Sequence, residues 1–196
     1  MKVKITIISI LIILFAGTFF LLKTKNGGNN MAQAADGKKV LVAYFSRTGE
    51  QYGVGNITEG NTAIIGKMIA KQTGADTYEI KVVNDSYPTG YNPLVEFAKK
   101  EKQAKARPKI IGKVENFDDY GTIFVGYPNW WGDMPMPVYT FLESYDFSNK
   151  KVYHFCTHEG SGGVDRNGFA IYGHTAQNNR EEAEQKVNEW LKGLGY

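Results

Sequence analysis

The chain has 196 residues, 42% of them hydrophobic and 22% charged, with 22 Gly, 6 Pro and one Cys, which predicts one globular domain and excludes a disulfide scaffold, a collagen-like repeat and a disordered chain. Cys156 has no partner in the chain and no Cys-x-x-Cys pair is present, so no structural metal is expected. The formal charge of +3 is uneven: Lys2, Lys4, Lys23 and Lys25 stand without an acid in residues 1–35, and the remainder holds 19 basic against 20 acidic residues, no net excess for a nucleic-acid binder, so no nucleic-acid partner is expected.

Residues 5–22 form an apolar run without a charge, about 27 Å long as a helix at roughly 1.5 Å per residue, just enough to cross a bilayer core. Residues 1–25 therefore read as an uncleaved membrane anchor or a cleaved signal segment, with 26–37 as a linker. The small-x-small site Ala32-Gln33-Ala34 lies far downstream for a signal, and the bland readings are a buried helix or a start at Met31. The domain is expected to be membrane-anchored or exported; lysines on both sides of the run leave its face open.

From Lys38 onward, strand-like and helical patterns alternate. Residues 40–45 (VLVAYF) are a continuous apolar run, as expected for a central strand covered on both faces. Residues 63–70 have helical spacing and close at Gly74; 77–80 alternate as a strand. A helix is predicted over 93–106, with Leu94, Phe97 and Ala98 on one face, ended by Pro108. Strands at 122–126 and 151–156, a short helix at 138–144, a last strand at 169–173 and an amphipathic helix at 181–191 complete a doubly wound α/β sheet. Only a short stretch separates the third loop from the last strand, where a full helix is expected, so one sheet face is predicted to be partly uncovered, which favours a homodimer or a membrane contact.

Ligands in such sheets bind at the carboxyl ends of strands, which directs attention to three loops. The first runs Ser46-Arg47-Thr48-Gly49, then eleven residues from Glu50 to Gly60, then Asn61-Thr62 at a helix start; small and hydroxyl residues there suit either an anion cradle or an ordinary capped loop. It is no Walker A loop, because five residues rather than four separate Gly60 from Gly66 and Met68 replaces the Ser or Thr; nor does Gly53-x-Gly55 make a dinucleotide fingerprint. The second loop carries Trp130-Trp131, of which at most one can easily join the core, leaving the other to cover a flat ligand or pack on a neighbouring loop. The third, Thr157-His158-Glu159-Gly160-Ser161-Gly162-Gly163, is glycine-rich, which allows close backbone approach to a planar ligand. His158-Glu159 is not a zinc-protease motif, since position 162 is glycine. His154 reads as a hydrogen-bonded core residue and Cys156 as core.

Taken in this order, the loops resemble the flavodoxin-like FMN-binding family, from about Lys39 to the C-terminus. Tyr44-Phe45-Ser46-Arg47-Thr48-Gly49 with Asn61-Thr62 is similar to its phosphate loop, split by an insertion; Ser86-Tyr87-Pro88, Tyr91-Asn92, Glu101 and Ala106-Arg107-Pro108 resemble a bacterial branch with such an insertion; Gly126 to Gly132 and Phe155 to Gly162 resemble its two ring loops. The resemblance implies a flavodoxin-like five-stranded parallel sheet of order 2-1-3-4-5 over residues 38–196 and FMN as cofactor. It places the phosphate on Ser46, Thr48, Gly49, Asn61 and Thr62 with Arg47 at its edge. The isoalloxazine then lies between Pro128, Asn129, Trp130, Trp131 and Gly132 on one side and Thr157, His158, Glu159, Gly160, Ser161 and Gly162 on the other. The flavin would carry the chemistry with no catalytic protein residue, and Glu159, where the family has Gly, would disfavour added negative charge on it if close. The implied activity is an electron-transfer flavoprotein or oxidoreductase, acting either as a reductase of a quinone-like acceptor or as a carrier docking on a redox partner protein. The competing reading is a membrane-tethered, non-redox binding module that has lost FMN.

Overall fold

The computed structural model describes residues 37–165 and 167–196. The expected anchor or signal segment and its linker lie outside the described residues, and among the described residues no helix is long and apolar enough to cross a membrane. Strand β1 (Lys39–Tyr44) is followed by β2 (Gly49–Gln51), β3 (Gly55–Ile57), α1 (Asn61–Thr73), β4 (Asp76–Glu79) and α2 (Tyr91–Gln103). Then come β5 (Tyr120–Pro128), α3 (Met136–Glu143), β6 (Lys151–His158), β7 (Phe169–Tyr172), α4 (Gly173–Asn178) and α5 (Arg180–Leu194).

The main sheet has the order β4-β1-β5-β6-β7 with every pair parallel, which is the expected 2-1-3-4-5 once the small β2–β3 hairpin is set aside. The apolar run of β1 has the cause inferred from sequence. Val40, Val42 and Tyr44 pack in one cluster with α1, α4 and α5, whereas Leu41, Ala43 and Phe45 pack in the other, with Leu94 of α2 and Val138 and Phe141 of α3. Alternate side chains of a strand point to opposite faces, so a strand covered on both must be apolar throughout.

The helices form where the periodicity placed them, with shifted ends. Helix α1 is stopped by Gly74, whose left-handed φ of 63° directs its N–H to the Ala70 carbonyl. Helix α2 ends at Gln103, not at Pro108, because Lys105 already turns to a φ of 47°. The last strand ends at Tyr172, and the following GHTAQN segment, for which no helix was expected, makes α4. The described residues between β6 and β7 contain no helix. The face they leave open shows in β7, where Ala170 is exposed and Tyr172 is 44% exposed while Ile171, pointing the other way, is buried. Cys156 is 3% exposed and burial pushes its thiol up to about 11. His154 corrects the reading of a hydrogen-bonded core residue: its Nδ1 is buried without a partner among the described residues, and burial lowers its pKa.

Candidate functional site

The carboxyl ends of β1, β5 and β6 open into one cleft with two unlike ends. The polar end, about 270 Å3, has Ser46, Arg47, Asn61 and Thr62 at its base, Pro128, Asn129 and Trp130 on one side, and Thr157, His158, Glu159 and Ser161 on the other. Through Gln51, Tyr91, Asn129, Trp130 and Ser161 it runs into an apolar end of about 280 Å3, reaching Leu94, Val95 and Ala98 of α2 and Trp131 and Gly132.

At the polar end the main chain supplies the donors. Of the N–H groups that a helix start leaves open, that of Ala63 goes to Ser46 Oγ at 3.0 Å and that of Ile64 to the Gly60 carbonyl at 3.1 Å; those of Asn61 and Thr62 have no partner among the described residues. No acid stands in the first turn of α1, so the positive end of its dipole faces the cleft uncompensated by its own residues. Close approach of the loop requires Gly60, where a Cβ would lie 2.1 Å from Ser46 Oγ and 2.5 Å from the Arg47 carbonyl. The side chains here already have protein partners. Thr62 Oγ1 pairs with Thr157 Oγ1 at 2.8 Å, both residues buried, and Asn61 Oδ1 accepts from Gln177 Nε2 at 2.9 Å. Arg47 turns to the segment after β4, where it pairs with Asp85, donates to the Tyr87 carbonyl at 3.2 Å and lies over the Tyr87 ring. Its Nε is buried without a partner among the described residues.

Glu159 belongs to this end as well. Its carboxylate accepts from the His174 N–H at 2.8 Å and lies 3.1 Å from His174 Nδ1, at the start of α4. A Cβ on Gly173 would stand 2.5 Å from its Oε1 and 2.1 Å from Asn61 Nδ2, so the turn into α4 brings the carboxylate and the amide to one point. Its neighbour His158 accepts the Gly160 N–H on Nδ1 at 3.1 Å, which leaves the ring proton on Nε2; burial holds its pKa down against the opposing charge of Glu159.

The ring loops are held together by Asn129. Its backbone N–H reaches the Thr157 carbonyl at 2.8 Å, its Nδ2 the Gly162 carbonyl at 2.9 Å, and its Oδ1 accepts the Gly132 N–H at 2.9 Å. Only one of the two tryptophans joins the core. Trp130 packs edge-on against Phe45, centroids 5.5 Å apart, and beside Tyr87 at 5.7 Å. Trp131, at a φ of 58° and 47% exposed, lies along α2 with its Nε1 donating to the Val95 carbonyl at 3.0 Å. Behind them Tyr87 donates to Glu101 Oε2 at 2.7 Å; burial raises the pKa of both, and the carboxylate adds to the rise at Tyr87.

Residues 50–60, which as a sequence only interrupt the first loop, build a wall. The β2–β3 hairpin lies against the start of α2: the Glu50 N–H donates to the Thr89 carbonyl at 2.8 Å, Glu50 Oε2 accepts the Tyr91 N–H at 2.9 Å, and the Tyr52 and Tyr91 rings are 5.6 Å apart. Its tip reaches the third loop, since a Cβ on Gly53 would lie 3.6 Å from Glu159 Oε2. Gln51 and Tyr52 are thus cleft residues that no sequence motif singles out, and Tyr91, which carries part of the family resemblance without a role, joins them in the cleft. The helical spacing puts Leu94 and Ala98 on an apolar face, but nothing in that pattern separates a core face from a cleft wall. Of the expected site residues, Thr48 and Gly49 in the first loop and Gly160 and Gly162 in the third do not line the cleft; Thr48 is exposed over a neighbouring hollow that it shares with Arg47 and Asp85.

The arrangement suits a ligand with an anionic group at one end and a flat aromatic body at the other, and comparison with known proteins points the same way. A family model described as Flavodoxin matches residues 39–190. Two solved structures, both assigned as flavoproteins, are 27% identical to this chain. One, from Bacteroides eggerthii, has a TM-score of 0.60 and the match covers 81% of this chain and 99% of that one. The other, from Bacteroides uniformis, has a TM-score of 0.61 with 79% and 98% covered. A flavoprotein from Lactobacillus acidophilus in complex with FMN shares the fold at 21% identity and a TM-score of 0.51, over 76% of this chain and 87% of that one. No curated protein matches the chain.

Proposed function

The chain belongs to the flavodoxin family, and from that premise we propose that it is an FMN-dependent electron-transfer flavoprotein of the oxidoreductase class. The observation that carries the reading is the pair of donors at the polar end that have no acceptor among the described residues: the N–H groups of Asn61 and Thr62 at the start of α1. A buried donor without an acceptor costs roughly 1–3 kcal/mol, and a phosphate group is the acceptor whose charge and oxygen count suit donors at a helix start. The residues present therefore fit FMN.

Ser46, Asn61 and Thr62 would hold the phosphate, chiefly through main-chain donors, with Arg47 tilted away by Asp85 and Tyr87. Trp130 and Asn129 on one side, and Thr157 to Ser161 on the other, would position the ring. When bound, FMN supplies the redox chemistry, taking up and releasing electrons singly or in pairs. The chain's share is to orient and to exclude water. Asn129 fixes the separation of the two ring loops, and the β2–β3 hairpin covers the polar end. Glu159 accepts the His174 N–H at the start of α4, so the main chain there engages its carboxylate.

The electron partner is proposed to be a redox protein or a small quinone-like acceptor. A flavin-free binding module is not favoured, because the open donors and the aromatic wall are both retained. The test is the visible absorption spectrum of the purified full chain before and after adding FMN and removing the excess. Flavin bands that stay with the protein are expected; a colourless protein that ignores FMN overturns the reading.

A further inference from the structure

The near-zero net charge of the globular part hides a strong separation. Between residues 99 and 109 stand six basic side chains, Lys99, Lys100, Lys102, Lys105, Arg107 and Lys109, and one acid, Glu101; the rest of the chain from Asp36 holds 13 basic and 19 acidic residues. The single acid does not offset the run at the surface, because Glu101 is turned inward to the Tyr87 hydroxyl. This basic run occupies the last turn of α2 and the segment after it.

That run adjoins the apolar end of the cleft. Lys99 Nζ lies 5.0 Å from the Trp131 ring centroid, and Lys102 Nζ donates to the Trp131 carbonyl at 2.7 Å. Trp131 itself is 47% exposed and lines the cleft. An exposed aromatic flanked by two lysines has the anatomy of a docking surface, with an apolar centre and a charged rim. A compact site for a free phosphate is not what these cations make. Arg107 is held by Glu143 through two hydrogen bonds of 2.7 Å, and Lys102 is paired with Asp133 at 3.2 Å. Lys100, Lys105 and Lys109 are exposed and have no acidic partner among the described residues. What remains is a broad positive field, which steers and orients an extended negative surface.

We propose that the α2 edge of the cleft, centred on Trp131 and rimmed by Lys99, Lys102 and Lys105, docks a small acidic one-electron carrier protein. The inference rests on the FMN reading and selects the protein partner over the quinone-like acceptor. In each encounter the reduced carrier would give up one electron, its metal centre rising by one oxidation unit, and FMN held at the polar end by Ser46, Asn61 and Thr62 would supply the one-electron acceptor.

The test uses the purified full chain in detergent, loaded with FMN, and a plant-type [2Fe–2S] ferredoxin as an acidic probe, with the dissociation constant as readout. Binding is expected at about 20 mM NaCl and should weaken about tenfold or more at about 300 mM, as screening shortens the reach of the field. Lys99→Glu with Lys105→Glu should weaken it about tenfold at low salt, while Lys151→Glu with Lys192→Glu, an equal charge change at the far end of the sheet and on α5, should leave it within about twofold. Basic cytochrome c should not bind. An unchanged constant in the Lys99/Lys105 variant, equal binding of cytochrome c, or attachment of the same lysines to anionic lipid vesicles with no ferredoxin binding would each overturn the proposal. The visible spectrum of every variant is recorded alongside: retained flavin with lost docking isolates the surface, whereas lost flavin in the parent chain tells against the FMN reading itself.

Discussion

The two ends of the cleft are built on different principles. At the polar end the functional groups are main-chain donors, and the side chains beside them are already bonded to the protein: Ser46 to Ala63, Thr62 to Thr157, Asn61 to Gln177 and Arg47 to Asp85. At the apolar end the functional groups are the side chains themselves, Trp130, Trp131 and Tyr91, set by packing. The first kind of site depends on backbone position and is intolerant of added volume; the second depends on surface area and is intolerant of its removal.

The sharpest way to break this contrast is Gly60→Val. A branched side chain placed 2.1 Å from Ser46 Oγ has to push the loop from the start of α1. With an overpacking cost of up to about 3 kcal/mol, FMN affinity measured by fluorescence titration should fall about 100-fold. Trp130→Ala acts on the other end by deletion. Losing one aromatic face should weaken FMN by about 10- to 30-fold in the same titration, and the flavin spectrum should shift as water reaches the ring.

A finer comparison lies within the first loop. Ser46→Ala removes the acceptor of the Ala63 N–H and should cost about 1 kcal/mol, near fivefold in affinity, while Thr48→Ala, at an exposed residue outside the cleft, should change affinity by less than about twofold. Equal losses would show that hydroxyls rather than main-chain donors hold the phosphate.

The smallest effect is in the sheet below the ring loops. His154 has its pKa lowered by burial from an ordinary 6.5, so on acidification the unfolded chain takes up this proton first. Stability is full above about pH 6.5 and is lost as pH falls from there through the depressed folded value. Thermal melts from pH 7 to pH 5 should show this decline, and His154→Phe should flatten it.

The sheet and its long helices were legible because their signals are local. A strand covered twice must be apolar at every position, and α1 and α5 repeat their apolar face over three to four turns. The hairpin was not legible: its strands are three residues each, and Tyr52-Gly53-Val54 carries no two-residue turn signature. Nor was α4, six residues of mediocre helix formers held by Glu159 from fifteen positions upstream. The first loop could be named as an anion cradle, yet where its side chains point is decided elsewhere in the chain. Arg47 is aimed by Asp85, 38 residues away, and Thr62 by Thr157, 95 residues away. That one tryptophan of the pair stays outside the core was legible from their adjacency, but which one, and its support by Lys99 and Lys102, exists only once α2 lies beside the second loop.

The hairpin's two anchorages have a kinetic consequence. It leaves the loop at Gly49 and rejoins it before Asn61, is fixed to the start of α2 by Glu50, and ends with Gly53 against Glu159. FMN bound at the polar end would have Gln51 and Tyr52 of this arch beside it, and its departure on that side would require these attachments to loosen. The residence time of bound FMN would then depend on how often the arch lifts as well as on how strongly the phosphate is held, and Glu50→Ala, which removes the acceptor of the Tyr91 N–H, should shorten it while leaving the donors below untouched.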